Sequence, residues 1–394
     1  WDKFYKRIKK LNYNFKNVFI LGNNVPRGCK SLTALIAQSS GSKPDVELKP
    51  DDIAQIQYTP GIVDLPKGVV LTHDNLRFSA QQTIKFFATS ENDIYAGILP
   101  LFLLYAQNFI INAAFLQAAK LIIYPKLNHE TLNKAIFEDK ITFLAGSPAI
   151  YALLIDNQED TQKDNSLRYA LSYGSTCDKE LLKQFEKKIG CPILEGYGVT
   201  ETTSIVTFNP SLVERKPDSV GIGFSGIEIK IVDKNRNELA PGELGEIAVA
   251  GKNLMNGYWN RPELTAAQLN DRWFYTGDIG KLDEDGYLYY LDRKQDIIHK
   301  SGFNIYPVEI EAMLLKHPKI EEVAVIGMQH PKHKEEVKAC IVLKKDIQAT
   351  EEEIIEFCKQ QIPVYKCPQN IQFYNSLPKN STGKILKRKL HEQI

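Results

Sequence analysis

The chain has 394 residues, with 49 Lys and Arg against 48 Asp and Glu for a formal charge of +1; 43% of residues are apolar and 25% charged. These values exclude disordered and fibrous classes and a minimal binding module, and so small a net charge gives no general attraction to nucleic acid or anionic lipid. At this length a large core and two or three domains are expected.

The chain opens on WDKFYKRIKK, a charged stretch from Trp1 with neither an initiator Met nor an apolar leader. Up to about Pro210, short apolar runs (VFIL, IYAGILPL, KLIIYP, ITFLAGSP, RYALSYG, PILEGYG) alternate with helical patterns such as DKELLKQFEKKIG. That alternation predicts a largely parallel α/β sheet with helices on both faces. The uncharged run over residues 94–119 is long enough to span a bilayer. Pro100, Gln107, Asn108, Asn112 and Gln117 interrupt it, so we read a buried strand, a buried helix over 103–119 and a further strand over 120–125.

From Asp218 to Tyr290 the pattern turns to β-rich segments punctuated by Gly and Asp-Gly turns. Beyond Asp292 it changes again: PVEIEAMLLKH predicts a helix, EEVAVIGM and KACIVLKK predict strands, and Thr350 with Glu353 predicts a capping box opening a last helix. The division expected is an α/β part over 1–214, a β-rich subdomain over 215–292 and a small α+β C-terminal domain over 293–394. The cysteines (Cys29, Cys177, Cys191, Cys340, Cys358 and Cys367) form no CxxC pair and read as thiols of a reducing compartment.

Four segments combine glycines with charged or hydroxyl side chains where strands should end: YTPGIVDLPKG from Tyr58, EGYGVTET from Glu195, FYTGD from Phe274 and LPKNSTGK from Leu377. Ligands of open α/β sheets bind at such ends. Singly, each also reads as a surface turn or a strand-to-loop connection. None is a Walker A motif, because Ile385 follows Lys384 where Ser or Thr is needed.

Together and in this order, with LSYGSTC, GELGEIAVAG, NGYWNRPE and DRKQDIIHKSGFNIYPVEIE, the segments resemble the adenylate-forming (AMP-binding) superfamily, most like bacterial medium-chain and long-chain fatty acyl-CoA synthetases. The resemblance runs from about Ser31 to the end. It implies a large N-terminal adenylation domain over 1–292, a mobile C-terminal lid over 293–394, and ATP-dependent activation of a fatty acid through an acyl-adenylate that the thiol of CoA then attacks. The substrates and cofactors implied are ATP, Mg2+ and CoA.

By the same resemblance, Lys384 would contact the carboxylate and α-phosphate, Thr200 would donate to the α-phosphate, and Glu201 would bind the magnesium. Tyr197 would stack on adenine, with Gly174, Ser175 and Thr176 lining the base pocket and Gly196 and Gly198 flanking it. Thr59, Gly61 and Lys67 belong to the phosphate loop. Asp278 would accept from both ribose hydroxyls, with Arg293 nearby. The lid would turn at Lys294-Gln295, where relatives often carry Asp or Lys in place of Gln295, exchanging the Lys384 loop for Ser301 and Gly302 beside the pantetheine channel.

Two departures stand out. Relatives usually carry Tyr-Thr-Ser-Gly-Thr-Thr-Gly before Pro-Lys-Gly; here Pro60, Ile62, Val63 and Asp64 replace Ser, two Thr and Gly. The changes remove an N–H and two hydroxyls and add a negative charge, which at about 5 Å from a phosphate charge costs roughly 3 kcal/mol at an effective dielectric of 20. Leu103 stands where relatives usually have a His bordering the acyl carboxylate pocket. The alternative readings are therefore a catalytically impaired relative that binds nucleotide or acyl groups, and an adenylation domain that loads an acyl carrier protein. The phosphate loop falls so early, at Tyr58, that the large domain reads as N-terminally truncated. KFYKRIKK and KILKRK read as solvated helix faces, so no nucleic acid and at most peripheral membrane contact are expected of a cytoplasmic protein.

Overall fold

The structure is a computed structural model that describes residues 15, 17–22, 24–59, 66–156, 164–174, 177–211, 214–379 and 385–392. The chain divides into two compact units, one ending at Lys49 and one beginning at Pro50. In the first, Phe19–Ile20 pairs in parallel with Lys30–Ser31, and Ser31 caps the short helix Leu32–Gln38 by accepting from the Ala34 N–H. The VFIL run therefore belongs to this small pairing and not to the large sheet.

The second unit is mixed α/β, a large N-terminal part followed by a small C-terminal one. Its seven-stranded sheet runs in the order Ile222–Gly223, Thr207–Phe208, Ile193–Tyr197, Tyr169–Tyr173, Phe143–Gly146, Ile94–Gly97, Lys120–Ile123. The last five strands are mutually parallel and the first two antiparallel. The covering helices follow from local chemistry. Lys179–Ile189 starts at Asp178, whose carboxylate accepts two first-turn N–H groups, carries Lys187 and Lys188 in its last turn, and buries Phe185 and Ile189 one turn apart.

Most of the uncharged run is core, with Phe102, Phe115 and Leu116 exposed. Its helix, Leu104–Ala106 through Ala113–Leu116, contains a π-helical stretch at Gln107–Asn112 and ends short of the expected Ala119. Its polar residues find partners inside the protein: Asn108 donates to the Thr203 carbonyl at 2.7 Å, Asn112 to Asn108 at 3.0 Å, and Gln117 to the Tyr95 hydroxyl at 2.7 Å. Pairing of these amide donors helps such a segment lie against Phe143 in the core, although Gln117 Oε1 has no partner among the described residues. Among the described residues no helix is long and apolar enough to cross a membrane.

A three-stranded sheet joins Ile53–Thr59, Lys67–Thr72 and Gly257–Tyr258. The β-rich sheet is antiparallel, in the order Ile227–Val232, Gly245–Gly251, Trp273–Leu282, Leu269–Asn270, with Leu288–Arg293 also on Trp273–Leu282. The C-terminal sheet joins Phe303–Ile305, Ile298–Lys300, Lys334–Leu343 and Ile320–His330, with Asn370–Phe373 parallel to Lys334–Leu343. It has its own core, including Ile310, Leu314, Val325, Val337 and Ile354.

Two expectations are corrected here. Only half of the capping box forms: Thr350 accepts from the Glu353 N–H, but the Glu353 carboxylate reaches Lys319 at 2.7 Å. The KILKRK stretch is not simply a solvated face, because Lys387 pairs with Glu311 at 2.8 Å with both side chains largely buried. KFYKRIKK lies outside the described residues.

Asp93 ties the loop before Ile94–Gly97 to the sheet. Its fully buried carboxylate accepts from the Ser90 N–H, the Thr142 hydroxyl and Arg168 at 2.7 to 3.0 Å. Asp93→Ala strands these donors and is expected to lower unfolding stability in urea by about 3 kcal/mol; a loss below about 1 kcal/mol would contradict this account.

Candidate functional site

The strand Ile193–Tyr197 ends in the EGYG segment, where close packing demands glycine: a Cβ on Gly196 would lie 2.2 Å from the Phe208 ring. Beyond it the chain makes a single 3-10 turn, Thr200–Thr202, and then two residues with positive φ, Thr203 at 50° and Ser204 at 61°. For side chains other than Gly this conformation costs of order 1–3 kcal/mol each. Buried hydrogen bonds hold it. Thr203 donates to the Asn253 carbonyl at 2.6 Å, Asn253 donates to the carbonyls of Thr202 and Ile205, and Asn108 donates to that of Thr203. The turn fixes where Thr200 and Glu201 stand.

Glu201 meets the phosphate-loop hairpin through a short bridging segment. The N–H of Met255 donates to the Glu201 carbonyl, those of Asn256 and Trp259 to Val70 and Gly68, and Gly257–Tyr258 pairs with Val69 and Val70. The Tyr258 hydroxyl thereby donates to the Glu201 carboxylate at 2.8 Å, and Lys67 lies over the Tyr258 ring at 5.6 Å. Burial, then the Glu201 charge, push the Tyr258 phenol far above its usual range, so it stays a donor.

A second group forms around Asp278. Between Tyr275, opposite Ala248, and Ile279, opposite Glu246, the strand Trp273–Leu282 bulges by Thr276, Gly277 and Asp278. Asp278 is 1% exposed, accepts from the Tyr197 hydroxyl at 2.7 Å, and lies 3.2 Å from the Arg293 guanidinium. Burial works against the charge of Arg293, and Asp278, together with smaller contributions from Tyr290, Tyr197 and Glu201, outweighs it, holding the guanidinium's pKa above the ordinary value. Tyr197, buried, stacks on Tyr290 with ring centroids 5.8 Å apart.

The structure thus brings Tyr197, Asp278 and Arg293 into one network, and Lys67 and Glu201 into another; Thr200, Gly196 and Gly198 lie on the segment between. Thr59 ends the first hairpin strand, and Gly174 ends the strand Tyr169–Tyr173 with φ of 88°. Gly61, Ser175, Thr176 and Lys384 lie outside the described residues, as do Pro60, Ile62, Val63 and Asp64. Ser301 and Gly302 form an exposed turn with φ of 50° and 86° on the C-terminal sheet, Ser301 within 2.9 Å of His333 Nδ1. His330, His333 and Glu336 bring possible metal-ligating atoms within 4.8 Å of one another, but Glu336 already pairs with Lys300 and His330 Nδ1 accepts from two backbone N–H groups. Leu103 is half-buried against the main core.

Sequence reasoning missed Tyr258, Tyr290, Asn253 and Glu246. Tyr258 and Glu246 lie in segments that carried the resemblance, NGYWNRPE and GELGEIAVAG, but nothing local announces their contacts.

The family model for AMP-binding enzyme matches residues 15–259, and that for the AMP-binding enzyme C-terminal domain matches 309–384. The chain is 38% identical over 346 residues to a long-chain-fatty-acid–CoA ligase of Bacillus subtilis, covering 87% of this chain and 62% of the relative. It is 34% identical over 355 residues to a 2-succinylbenzoate–CoA ligase of Geobacillus kaustophilus, covering 89% and 72%. The crystal structure of ATP-bound MatB from Rhodopseudomonas palustris superposes with a TM-score of 0.86 at 31% identity, over 93% of this chain and 73% of that one. The chain therefore spans less than two thirds of the length of its fatty-acid-ligase relatives.

Cys177 follows Gly174, Ser175 and Thr176 in the sequence. Its thiol donates to the Ser172 hydroxyl at 3.2 Å, and its N–H donates to the buried Glu195 carboxylate at 2.8 Å. Burial, then Glu195, push the thiol up to about 12. Iodoacetamide at pH 8 is expected to label Cys177 on the order of a thousandfold more slowly in the native protein than in urea, because so little thiolate is present. Equal rates by peptide mass spectrometry would contradict the burial argument.

Proposed function

The chain belongs to the AMP-binding enzyme family, and from that membership we propose that it activates a carboxylic acid with ATP and transfers the acyl group to CoA. In the first step a carboxylate oxygen attacks the α-phosphorus, the bond to pyrophosphate breaks, and an acyl-adenylate forms. In the second the CoA sulfur attacks the acyl carbon and AMP leaves. The observation that carries this reading is the network of Tyr197, Asp278 and Arg293 at the end of the strand that leads into Glu201, whose carboxylate meets Tyr258 and, over the Tyr258 ring, Lys67: a carboxylate suited to a diol and a cation suited to phosphate.

In this reading Asp278, paired with Arg293 and aimed by the Tyr197 hydroxyl, accepts from the ribose hydroxyls. The base lies over Tyr197, beside Gly174, Ser175 and Thr176, with Gly196 and Gly198 leaving room for it. Thr200 donates to the α-phosphate and Lys67 supplies positive charge on the loop side, next to Thr59 and Gly61. Glu201 fits magnesium by chemistry, a half-buried carboxylate bonded to the Tyr258 hydroxyl and in no metal-ligating group with thiols or imidazoles among the described residues; the ion, when bound, would offset charge on the phosphate oxygens. Lys384 serves the first step and Ser301 with Gly302 the second, residues 293–394 acting as a lid in a cytoplasmic enzyme.

A fatty acid is the proposed substrate class. The Bacillus relative's name and the apolar Leu103 at the acyl end favour it over the dicarboxylate named in the Geobacillus ligase. CoA is preferred to a carrier protein as acceptor, because the relatives are named as CoA ligases.

ATP–pyrophosphate exchange with a panel of fatty acids and 2-succinylbenzoate tests this. Exchange is expected with a fatty acid, rising about a hundredfold in Pro60→Ser/Ile62→Thr/Val63→Thr/Asp64→Gly as the few kcal/mol lost in the loop are restored. No exchange from either protein, with AMP still bound in calorimetry, would replace the enzyme by a nucleotide-binding relative.

A further inference from the structure

One carboxylate joins the nucleotide side of the site to the hinge. Glu246 lies on Gly245–Gly251 with its side chain 15% exposed. Its Oε1 accepts from the Gly277 N–H at 3.0 Å, and its Oε2 lies 2.8 Å from Lys294 Nζ. Gly277, with φ of 73°, is the crest of the bulge that carries Asp278. Lys294 opens the hinge turn Lys294–Asp296, immediately after Arg293, which pairs with Asp278 in the strand ladder. Bulge and hinge are thus connected twice, once by the ladder and once through Glu246.

We propose that Glu246 is a positioning residue that couples the two: Oε1 sets the Gly277–Asp278 bulge for the ribose, while Oε2 holds Lys294 and with it the orientation of the segment after the hinge. Lys294 then has to leave Glu246 each time that segment turns between the two half-reactions. The kinetic consequence rests on the acyl-CoA ligase reading; the structural one does not. The strengths suit the roles. Gly277 donates to the buried side of the carboxylate, whereas the Lys294 side chain is 56% exposed, and a pair so solvated shifts an equilibrium by no more than about fivefold. A contact of that size biases a hinge without locking it. Gln295, neutral and exposed, adds no charge, so Lys294 is the hinge cation that Glu246 acts on.

Three variants separate the two arms of the carboxylate. Glu246→Gln keeps an acceptor for the Gly277 N–H and loses the charge, Lys294→Met loses the cation alone, and Glu246→Ala loses both contacts. AMP affinity by calorimetry is expected to stay within about twofold of wild type in Glu246→Gln and Lys294→Met and to fall about tenfold in Glu246→Ala. Trypsin cleavage after Arg293 is expected to quicken about two- to fivefold in the first two. Measured separately, adenylate formation and thioester formation should shift in ratio by a similar factor and in the same direction in both, with no further change in the double variant and wild-type behaviour in Lys294→Arg. Additive effects, an equal change in both half-reactions, or unchanged cleavage would overturn the coupling. Absence of any acyl-adenylate in the wild type would sink the ligase reading instead, leaving AMP affinity and cleavage to judge Glu246.

Discussion

Between two regular pairs of the β-rich sheet, the strand Trp273–Leu282 sets Thr276, Gly277 and Asp278 against the lone Ile247. Extra residues in a ladder lose their cross-strand partners, and buried backbone groups have to find others. Here the Thr276 hydroxyl donates to the Ile247 carbonyl and in turn accepts from the Asp278 N–H, while the Gly277 N–H goes to Glu246. Gly277 can take the left-handed conformation this needs without a Cβ penalty. Because the bulge is held on three sides, Asp278 stays beside Tyr197 and Arg293 without having to be ordered by a ligand. Tyr197 comes from the seven-stranded sheet and Arg293 from the strand that leads to the hinge, so this one irregularity is where sheet, nucleotide side and C-terminal segment meet.

The rest of the site depends on a second irregular stretch with the same logic. Thr203 and Ser204 keep unfavourable backbone angles because Asn253, Asn108 and the Thr203 hydroxyl donate to the carbonyls of Thr202, Thr203, Ile205 and Asn253. Asn253 belongs to the β-rich part and Asn108 to the π-helical stretch, so the turn bearing Thr200 and Glu201 is fixed from two separate elements. Strain persists where the surroundings over-determine it, and such places cluster at functional sites.

These features mark the boundary of what the amino-acid order discloses. Alternating apolar runs predict the sheet strands to within a few residues, since burial on both faces leaves a local record in Ile193–Tyr197 or Phe143–Gly146. The glycine-bearing end of Ile193–Tyr197 likewise marks Gly196 and Tyr197, whereas FYTGD, expected at a strand end, lies inside Trp273–Leu282 at its bulge. Contacts between distant segments leave no such record. Nothing beside Tyr258 in sequence says that its hydroxyl meets Glu201, 57 residues away, and Glu353 satisfies every local rule for a capping box yet turns to Lys319. Lys387 reads as a solvated charge because its partner, Glu311, lies on another helix. Patterns report burial and turns; pairing of charges across the fold is tertiary and escapes them.

Charge pairing also decides where the altered phosphate loop acts. Asp278 is matched by Arg293 and Glu246 by Lys294, whereas Lys67 makes no ion pair among the described residues. In the proposed site Lys67 is a cation available to phosphate, three residues after Asp64 in the sequence. There the charge of Asp64 opposes that of Lys67, each being worth about 3 kcal/mol toward a phosphate charge at about 5 Å and an effective dielectric of 20. Asp278 and Tyr197, the ribose and base partners in the proposed function, are remote in sequence from that loop. In that proposal ATP loses the loop's attraction on the phosphates that leave as pyrophosphate, while AMP, which lacks them, loses almost nothing. The proposed reaction therefore predicts that the substitutions from Pro60 to Asp64 weaken the substrate side of adenylate formation and spare AMP, which separates nucleotide retention from nucleotide activation within one site.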